Sequence, residues 1–176
     1  MKILSKFIVI LSITILSNMA WALDKNSPNW IDFDQALKIA KEKNKFVMVK
    51  LYADWCGPCK MMDQITFSDP KVIKIIDENF LAAKLNVESE KIINCDNWPR
   101  SIANCVAKNW ELVGIPTISI IGPSGYNILN VSRFLDVEEM KLFLNNLLSD
   151  KNLLLEADKE TSNHFKRLNE NKKGVD

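Results

Sequence analysis

Two cysteines separated by Gly57 and Pro58 carry the clearest chemistry in the sequence, Cys56 and Cys59. The residues before Cys56 suit a strand and those after it suit a helix, so Cys56 is expected at a helix N-terminus. Unpaired backbone N–H groups and the helix dipole favour an anion there, such as a thiolate. We therefore predict that Cys56 has a lowered thiol pKa and is an accessible nucleophile. Cys59 lies on the same helical face, within reach to close a disulfide and resolve what Cys56 captures.

The elements that would position this pair are a buried strand and a short helix. Residues 46–53 are rich in Val, Phe, Tyr and Leu, the composition and length of a buried strand. Residues 56–65 continue with good helix formers, and Pro58 falls in the first turn, where a missing N–H costs little. Zinc knuckles and inert bridges use the same cysteine spacing, so the spacing alone leaves those interpretations open. The strand, the adjacent Trp55 and the helix together favour redox chemistry.

The segment WCGPCK at residues 55–60 resembles the active site of thioredoxin. Its flanks, LYADWC at 51–56 and TFSDP at 66–70, are similar to the periplasmic C-terminal domain of the membrane reductase DsbD and its thioredoxin-like relatives. The resemblance covers residues 30–148. It implies an α/β thioredoxin fold, in which helices flank a central mixed β-sheet. It also implies an enzyme that exchanges protein thiols and disulfides through its dithiol.

The same resemblance assigns residues that would contact the substrate. In the thioredoxin fold an Ile-Pro-Thr segment has a cis peptide bond before the proline and packs against the cysteine pair. Here Pro116 is expected to be that cis residue, and Ile115 to offer its backbone to an extended substrate strand. An ordinary trans turn proline is the alternative. The expected substrate-binding set is Trp55, Gly57, Pro58, Ile115 and Pro116.

One position departs from the family pattern. The resemblance implies a buried aspartate six residues before the first cysteine, where it helps to take the proton from the second cysteine, but here that residue is Lys50. A buried cation would lower thiol pKa values and could act as a base only when deprotonated. The lysine could also extend out of the strand to water. Asp63, four residues after Cys59, matches another acidic position of the DsbD domain, as a proton relay or a surface carboxylate.

Cys95 and Cys105 form a second pair, in a segment longer than the corresponding part of thioredoxin. In an oxidising compartment, a structural disulfide that staples this inserted loop and helix is the favoured interpretation. A second redox pair that exchanges with the first, or tunes it, is the alternative. A four-cysteine zinc site is disfavoured, because Cys59 and Cys95 lie farther apart than the two halves of a zinc knuckle. No metal site is predicted.

The N-terminus predicts export. Lys2 and Lys6 precede an apolar stretch at residues 7–16, and AWA at residues 20–22 is a small-x-small cleavage signal. This pattern is typical of a secretory signal peptide over residues 1–22 that is removed on export. The predicted destination is a bacterial periplasm, and an uncleaved membrane anchor is the alternative.

The composition describes an ordinary globular chain. Its 176 residues suffice for one domain with a core, and 47% apolar and 26% charged residues are typical values. The net charge of +1 comes from 23 basic and 22 acidic side chains. No basic run is interleaved with aromatic residues, which argues against nucleic-acid binding.

Hydrophobic periodicity and breaker residues predict one domain over residues 23–148. Helices are expected at residues 32–43, 56–65, 68–78, 101–110 and 136–148, and strands at 46–53, 80–87, 117–121 and 126–134. The expected helix caps are Asp32, Ser68 and Asp136. Residues 88–100 are expected to be irregular.

Residues 149–176 form a charged C-terminal tail. The leucines at 153–155, Phe165 and Leu168 could dock this tail on the body as a helix, and a mobile tail is the alternative. The only histidine of the chain, His164, lies in this tail and is expected to be a solvated surface residue.

The dipeptide between the cysteines predicts the direction of electron flow. A histidine there favours the reduced form and makes an oxidant, whereas Gly57-Pro58, as in reducing thioredoxins, favours a reductant. The resemblance implies a monomeric periplasmic reductase of protein disulfides that a DsbD-type membrane protein reduces. No cofactor beyond the Cys56–Cys59 pair and no membrane association after signal cleavage are expected. Two rivals stay open, a disulfide oxidase or isomerase and a non-catalytic binding or assembly module.

Overall fold

The structure, a computed structural model, describes residues 26–173, so the predicted signal peptide over residues 1–22 lies outside the described residues. The helices are α1 (Phe33–Lys43), α2 (Gly57–Ile65), α3 (Pro70–Asn79), α4 (Ile102–Asn104), α5 (Val137–Ser149) and α6 (Lys151–Lys173). The strands are β1 (Val47–Tyr52), β2 (Leu81–Asn86), β3 (Ile92–Cys95), β4 (Trp98–Ser101), β5 (Thr117–Ile121) and β6 (Asn127–Val131). Across residues 26–173, no helix combines the length and apolar character needed to cross a membrane.

β1 is a central strand of a four-stranded mixed sheet with the order β2-β1-β5-β6. It pairs in parallel with β2 and antiparallel with β5, and β6 continues the sheet beyond β5. One face of the sheet is covered by α1, the β3–β4 hairpin and α4, and the other by α2, α3 and α5. This mixed sheet between two helical layers is the thioredoxin fold that the resemblance implies.

Side chains of β1, which reads VMVKLY, alternate between the two faces. Val47, Val49 and Leu51 join the core on the α1 side. Met48 joins the core on the opposite face, and Lys50 follows it there, beneath α2. The strand is buried on both faces. Packing therefore fixes the position of its C-terminal end, from which the chain continues into α2.

Three helices begin after an aspartate cap. The carboxylates of Asp32 and Asp136 accept hydrogen bonds from backbone N–H groups in the first turns of α1 and α5, as predicted. The prediction of Ser68 as the cap of α3 is wrong, because Asp69 accepts from two first-turn N–H groups there. Ser68 instead donates its hydroxyl to a carbonyl in the last turn of α2. Pro70 is the first residue of α3, which leaves the cap position to Asp69.

The segment 88–100 is not irregular as predicted, because it contains the β3–β4 hairpin. The two-residue turn Asp96-Asn97 has φ values of 47° and 67°. Two positive φ values are the mark of a type I′ turn, and Asp and Asn tolerate them better than other non-glycine residues. Pro99 lies within β4, although proline cannot donate a backbone hydrogen bond. It is accommodated because this ribbon has only two strands and each has an open edge.

A disulfide between Cys95 and Cys105 joins this hairpin to the helical segment that follows. That segment, predicted as one helix over 101–110, consists of α4 and a π-helical turn (Cys105–Asn109). Both cysteines are fully buried, and their Cα atoms are 5.8 Å apart, an ordinary separation for a bridge. The burial keeps solvent thiols away from these sulfurs and favours the structural interpretation of the pair.

Helix α6 packs against the turn between β5 and β6. Phe165 stacks on Tyr126 with ring centroids 4.7 Å apart. Asp158 is buried, and its carboxylate accepts hydrogen bonds from the backbone N–H and the hydroxyl of Ser124. Asp158 lies so close to Gly122 that a side chain at that position would collide with it. Of the two interpretations of the tail, the docked helix is the one observed.

The residues that dock α6 differ from the expected ones. Leu153 and Leu168 remain exposed, while Leu154 and Leu155 pack partly against the core. The apolar pattern did not predict the contact between the Asp158 carboxylate and Ser124. Because its partner is a backbone N–H far away in the chain, no local pattern marks it.

Replacing Cys95 and Cys105 together with alanine is expected to lower the free energy of unfolding by about 2–3 kcal/mol, because the bridge restricts the unfolded chain. Urea unfolding of the variant and of the wild type measures the difference. Alkylation of Cys56 after reduction serves as the control and is expected to be unchanged. Equal stability of the two proteins would contradict the structural role.

Asp96 is a buried carboxylate in the turn of the hairpin. Its Oδ1 accepts hydrogen bonds from the Trp110 indole N–H and the Asn127 backbone N–H, both at 3.2 Å. Burial raises the pKa of Asp96, although these hydrogen bonds act to lower it. When the pKa of a carboxyl group is higher in the folded than in the unfolded chain, the folded chain holds the proton more tightly. The stability of the folded state then falls as the pH rises from the unfolded to the folded pKa.

An Asp96→Asn variant keeps an acceptor oxygen and tolerates the positive φ, but it does not titrate. The stability of this variant relative to the wild type is therefore expected to rise as the pH is raised from about 4 to about 7. Urea unfolding of both proteins across this range measures the trend. A stability difference that stays constant with pH would show that Asp96 does not couple folding to protons.

Candidate active site

Cys56 caps the N-terminus of α2, and Cys59 lies in the first turn. The two are joined by a disulfide with their Cα atoms 5.3 Å apart. The backbone N–H of Cys59 donates to the Cys56 Sγ at 3.2 Å, so a sulfur takes the place of the usual cap oxygen. Pro58 occupies the first turn, where no intrahelical hydrogen bond is lost. The Cys56 sulfur therefore lies where the helix favours negative charge.

The cysteine pair is covered in this disulfide form. Cys56 is only 2% exposed, and Tyr52, Val87 and Ile115 pack against the pair. The expectation of an accessible sulfur is therefore not met in this state. The covering residues come from the end of β1, the end of β2 and the start of β5. These three strand ends meet at one edge of the sheet, which the local sequence around Cys56 does not show.

Trp55, next to the pair, is 69% exposed. Its indole N–H donates to Glu88 Oε1 at 2.8 Å, which orients the ring. Glu88 was not among the predicted site residues. Glu88 lies shortly after β2, and parallel strands place their carboxyl ends at the same edge of a sheet. The parallel pairing of β2 with β1 was therefore the signal that could have placed Glu88 near Trp55. Gly57 lies open, with no atom within 4 Å of a side chain added there.

The Ile115–Pro116 peptide bond is cis, the conformation that the resemblance implies. Ile115 packs against the cysteine pair, and Pro116 is buried at the start of β5. The Thr117 hydroxyl donates to the Gly114 carbonyl at 2.5 Å and holds this loop in place. Val113 is 86% exposed at the outer end of the loop.

Lys50 is buried, with only 1% of its surface exposed, and does not extend to water. Its ammonium donates to the Cys59 carbonyl oxygen at 3.3 Å and pairs with Asp63 Oδ1 at 2.5 Å. The rings of Tyr52 and Phe67 lie 5.4 and 5.5 Å from the Nζ atom. Cation–π contacts of this kind help to offset the lost hydration of the ammonium. The departure from the family pattern thus places a positive charge beneath the first turn of α2.

The Lys50–Asp63 pair joins a buried charge to an exposed one. Burial lowers the pKa of Lys50, and the hydrogen bond and charge of Asp63 oppose that shift. The Asp63 side chain is half-exposed, so the pair connects the buried ammonium to solvent. Asp63 is therefore the counter-ion of Lys50 and not an isolated surface carboxylate.

At this edge of the sheet, the Cys56–Cys59 disulfide is the group that can undergo redox chemistry. Among residues 26–173, no three His, Cys, Asp or Glu side chains are grouped in a way that would hold a metal ion. His164 is exposed on α6, which packs at the β5–β6 turn and not at the edge that carries Pro116. A disulfide at a helix N-terminus can be attacked by a thiolate, and its reduced form can attack another disulfide.

Comparison with known proteins identifies the family. The thioredoxin-like family model matches residues 29–123, more than half of the chain. The chain is 34% identical over 120 residues to the thiol:disulfide interchange protein DsbD of Cronobacter sakazakii. That match covers 66% of this chain and 19% of the relative. The chain thus spans about a fifth of the length of this curated relative.

Solved structures agree on the fold. A thioredoxin from Thermus thermophilus has a TM-score of 0.58 at 20% identity, covering 70% of this chain and 89% of the thioredoxin. A putative disulphide-isomerase from Bacteroides thetaiotaomicron has a TM-score of 0.54 at 23% identity, covering 68% of this chain and 93% of that protein. The family-model match shows that the chain belongs to the thioredoxin-like family, with the Cys56–Cys59 disulfide at the start of α2.

Proposed function

We propose that this oxidoreductase is a periplasmic reductase of protein disulfides. The observation that carries the proposal is the position of the Cys56 sulfur, which accepts the Cys59 N–H at the N-terminus of α2. After reduction, the same position favours a Cys56 thiolate, the species that attacks disulfides. Cys59 lies one turn further on, with the reach to resolve the product.

The proposed reaction is two consecutive thiol–disulfide exchanges. The Cys56 thiolate attacks one sulfur of a substrate disulfide, and the bond between the two substrate sulfurs breaks, releasing one of them as a thiolate. Cys59 then attacks the Cys56 sulfur in its thiolate form and displaces the second substrate sulfur. The substrate leaves with two thiols, and the protein keeps the Cys56–Cys59 disulfide seen in the structure.

Exposed apolar side chains around the pair support a protein substrate. Trp55 and Val113 lie exposed beside the pair and on the loop that precedes Pro116. Met61 and Ile65 are exposed one turn apart along α2. Exposed apolar side chains beside a reactive group are available to contact a protein substrate. An extended substrate strand could lie along the loop at Ile115, as the resemblance implies.

Two features of the site act in opposite directions on electron flow. Gly57 and Pro58 place no charge between the cysteines, which supports a reductant. Lys50 favours the thiolate form and so stabilises the reduced protein, which supports a disulfide oxidase or isomerase as the second candidate. Asp63 partly neutralises that charge, and for this reason we retain the reducing direction.

Location and partners are proposed from the sequence and from the named relative. The signal pattern in residues 1–22 supports export to the periplasm. The relative's name, thiol:disulfide interchange protein, supports exchange with protein thiols. Because the sequence carries no nicotinamide or flavin motif, we propose that a DsbD-type membrane protein supplies the electrons. We propose a monomer whose only redox group is the Cys56–Cys59 pair.

A Cys59→Ala variant is expected to accumulate mixed disulfides through Cys56, because the resolving thiol is missing. Non-reducing electrophoresis of periplasmic extracts detects the adducts, and mass spectrometry identifies the bound proteins. A variant with both Cys56→Ser and Cys59→Ala is the matched control and should trap nothing. Adducts on Cys95 or Cys105 alone would contradict the assignment of the site. A Cys56→Ser variant that replaces the wild type fully in a deletion strain would favour the non-catalytic module.

The reduction potential of the Cys56–Cys59 pair is expected to lie near the thioredoxin value of about −270 mV. Equilibration with thiol buffers, followed by alkylation of the free thiols, measures it. The Cys95 and Cys105 double alanine variant serves as the control, because only one pair then contributes to the signal. A value of about −120 to −180 mV would assign the protein to the oxidases and isomerases instead.

A further inference from the structure

Lys50 introduces a charge that the proposed exchange reaction does not by itself require. Its ammonium lies beneath the first turn of α2 and donates to the carbonyl of Cys59, the proposed resolving residue. Cys59 is itself buried. A buried thiol is normally a poor nucleophile, because burial disfavours the thiolate.

The Lys50–Asp63 pair supplies what a buried resolving cysteine lacks. The ammonium donates to the backbone carbonyl of Cys59, so its positive charge lies beside the first turn of α2, and a nearby positive charge favours a thiolate. The Asp63 carboxylate contacts the same ammonium at 2.5 Å and is half-exposed to solvent. The pair thus combines a cation on the buried side with its counter-ion on the solvent side.

We propose that Lys50 is a positioning residue whose positive charge favours ionisation of Cys59 for the resolving step, and that Asp63 keeps Lys50 charged. This inference rests on the proposed function, in which Cys56 attacks and Cys59 resolves. Before the resolving step the Cys59 thiol releases its proton to water. The Cys59 sulfur then bonds to the Cys56 sulfur, and the substrate sulfur departs with the electron pair of the broken bond.

The charged and titratable groups that face Lys50 come from three elements. Asp63 faces it from α2, where the backbone carbonyl of Cys59 also accepts its hydrogen bond, and Tyr52 faces it from β1. Lys84 on β2 is paired with Lys50 in register, but its side chain is exposed. Of these groups, Asp63 is the one that forms an ion pair with the ammonium, so its removal should weaken the hold of Lys50 on its proton.

The resolving step is measured by mixing the reduced protein with a chromogenic aryl disulfide, dithiobis-nitrobenzoate, in a stopped-flow instrument. Attack by Cys56 releases one aryl thiolate, and resolution by Cys59 releases the second. The rate of the second release against pH gives the midpoint at which Cys59 ionises. In a Lys50→Met variant this midpoint is expected to rise by about one unit or more, and the second release at neutral pH to slow about tenfold or more.

Lys84→Met is the matched control, because it removes a neighbouring cation that does not contact Cys59, and its midpoint should equal that of the wild type. Asp63→Asn is the second variant. Asp63 is at the surface, so folding should survive, and the midpoint should rise in the same direction as in Lys50→Met. A normal first release with an unchanged second midpoint in both variants would overturn the role of the pair while leaving the proposed function intact. Absence of the first release in the wild type would instead overturn the proposed function.

Discussion

The passage from β1 into α2 is the constraint on which the rest of the structure depends. Because β1 is buried on both faces, its last residues have one place to lie, and the chain must turn from there into the helix. The hydrogen bond from the Cys59 N–H to the Cys56 sulfur follows from that turn. The neighbouring strands bring Val87 and Ile115 to the same edge, where they cover the pair. The whole core therefore contributes to the position of two sulfur atoms.

The electrostatics of the site result from three unequal contributions. The N-terminus of α2 and the Lys50 ammonium both favour a negative sulfur, whereas the Asp63 carboxylate offsets part of that effect. In the resemblance, the position of Lys50 belongs to a carboxylate that takes up a proton. Here the same buried site carries a positive charge, and the half-exposed carboxylate of Asp63 on α2 is its counter-ion.

Local patterns predicted the elements whose signals lie within a few residues. The caps at Asp32 and Asp136 and the strand at Thr117–Ile121 are of this kind, because backbone and side chain meet inside one turn or one run. The β3–β4 hairpin was missed because its stability comes from distant partners, such as the N–H of Asn94 bonded to the Asp34 carboxylate. Glu88 reaches Trp55 only after two strands pair. Whether Lys50 would extend to water was decided by a counter-ion on the following helix.

Helix α6 docks at a different end of the molecule from the one that carries the cysteine pair. The buried carboxylate of Asp158 ties the C-terminal helix to the turn at Ser124, while the sulfur chemistry lies at the edge that carries Pro116. Changes in the sequence of α6 can therefore accumulate without altering the reacting groups, provided that this anchor and the ring contact of Tyr126 are kept. Substitutions in this helix would therefore alter the surface and the stability of the protein and leave the reacting sulfurs in place.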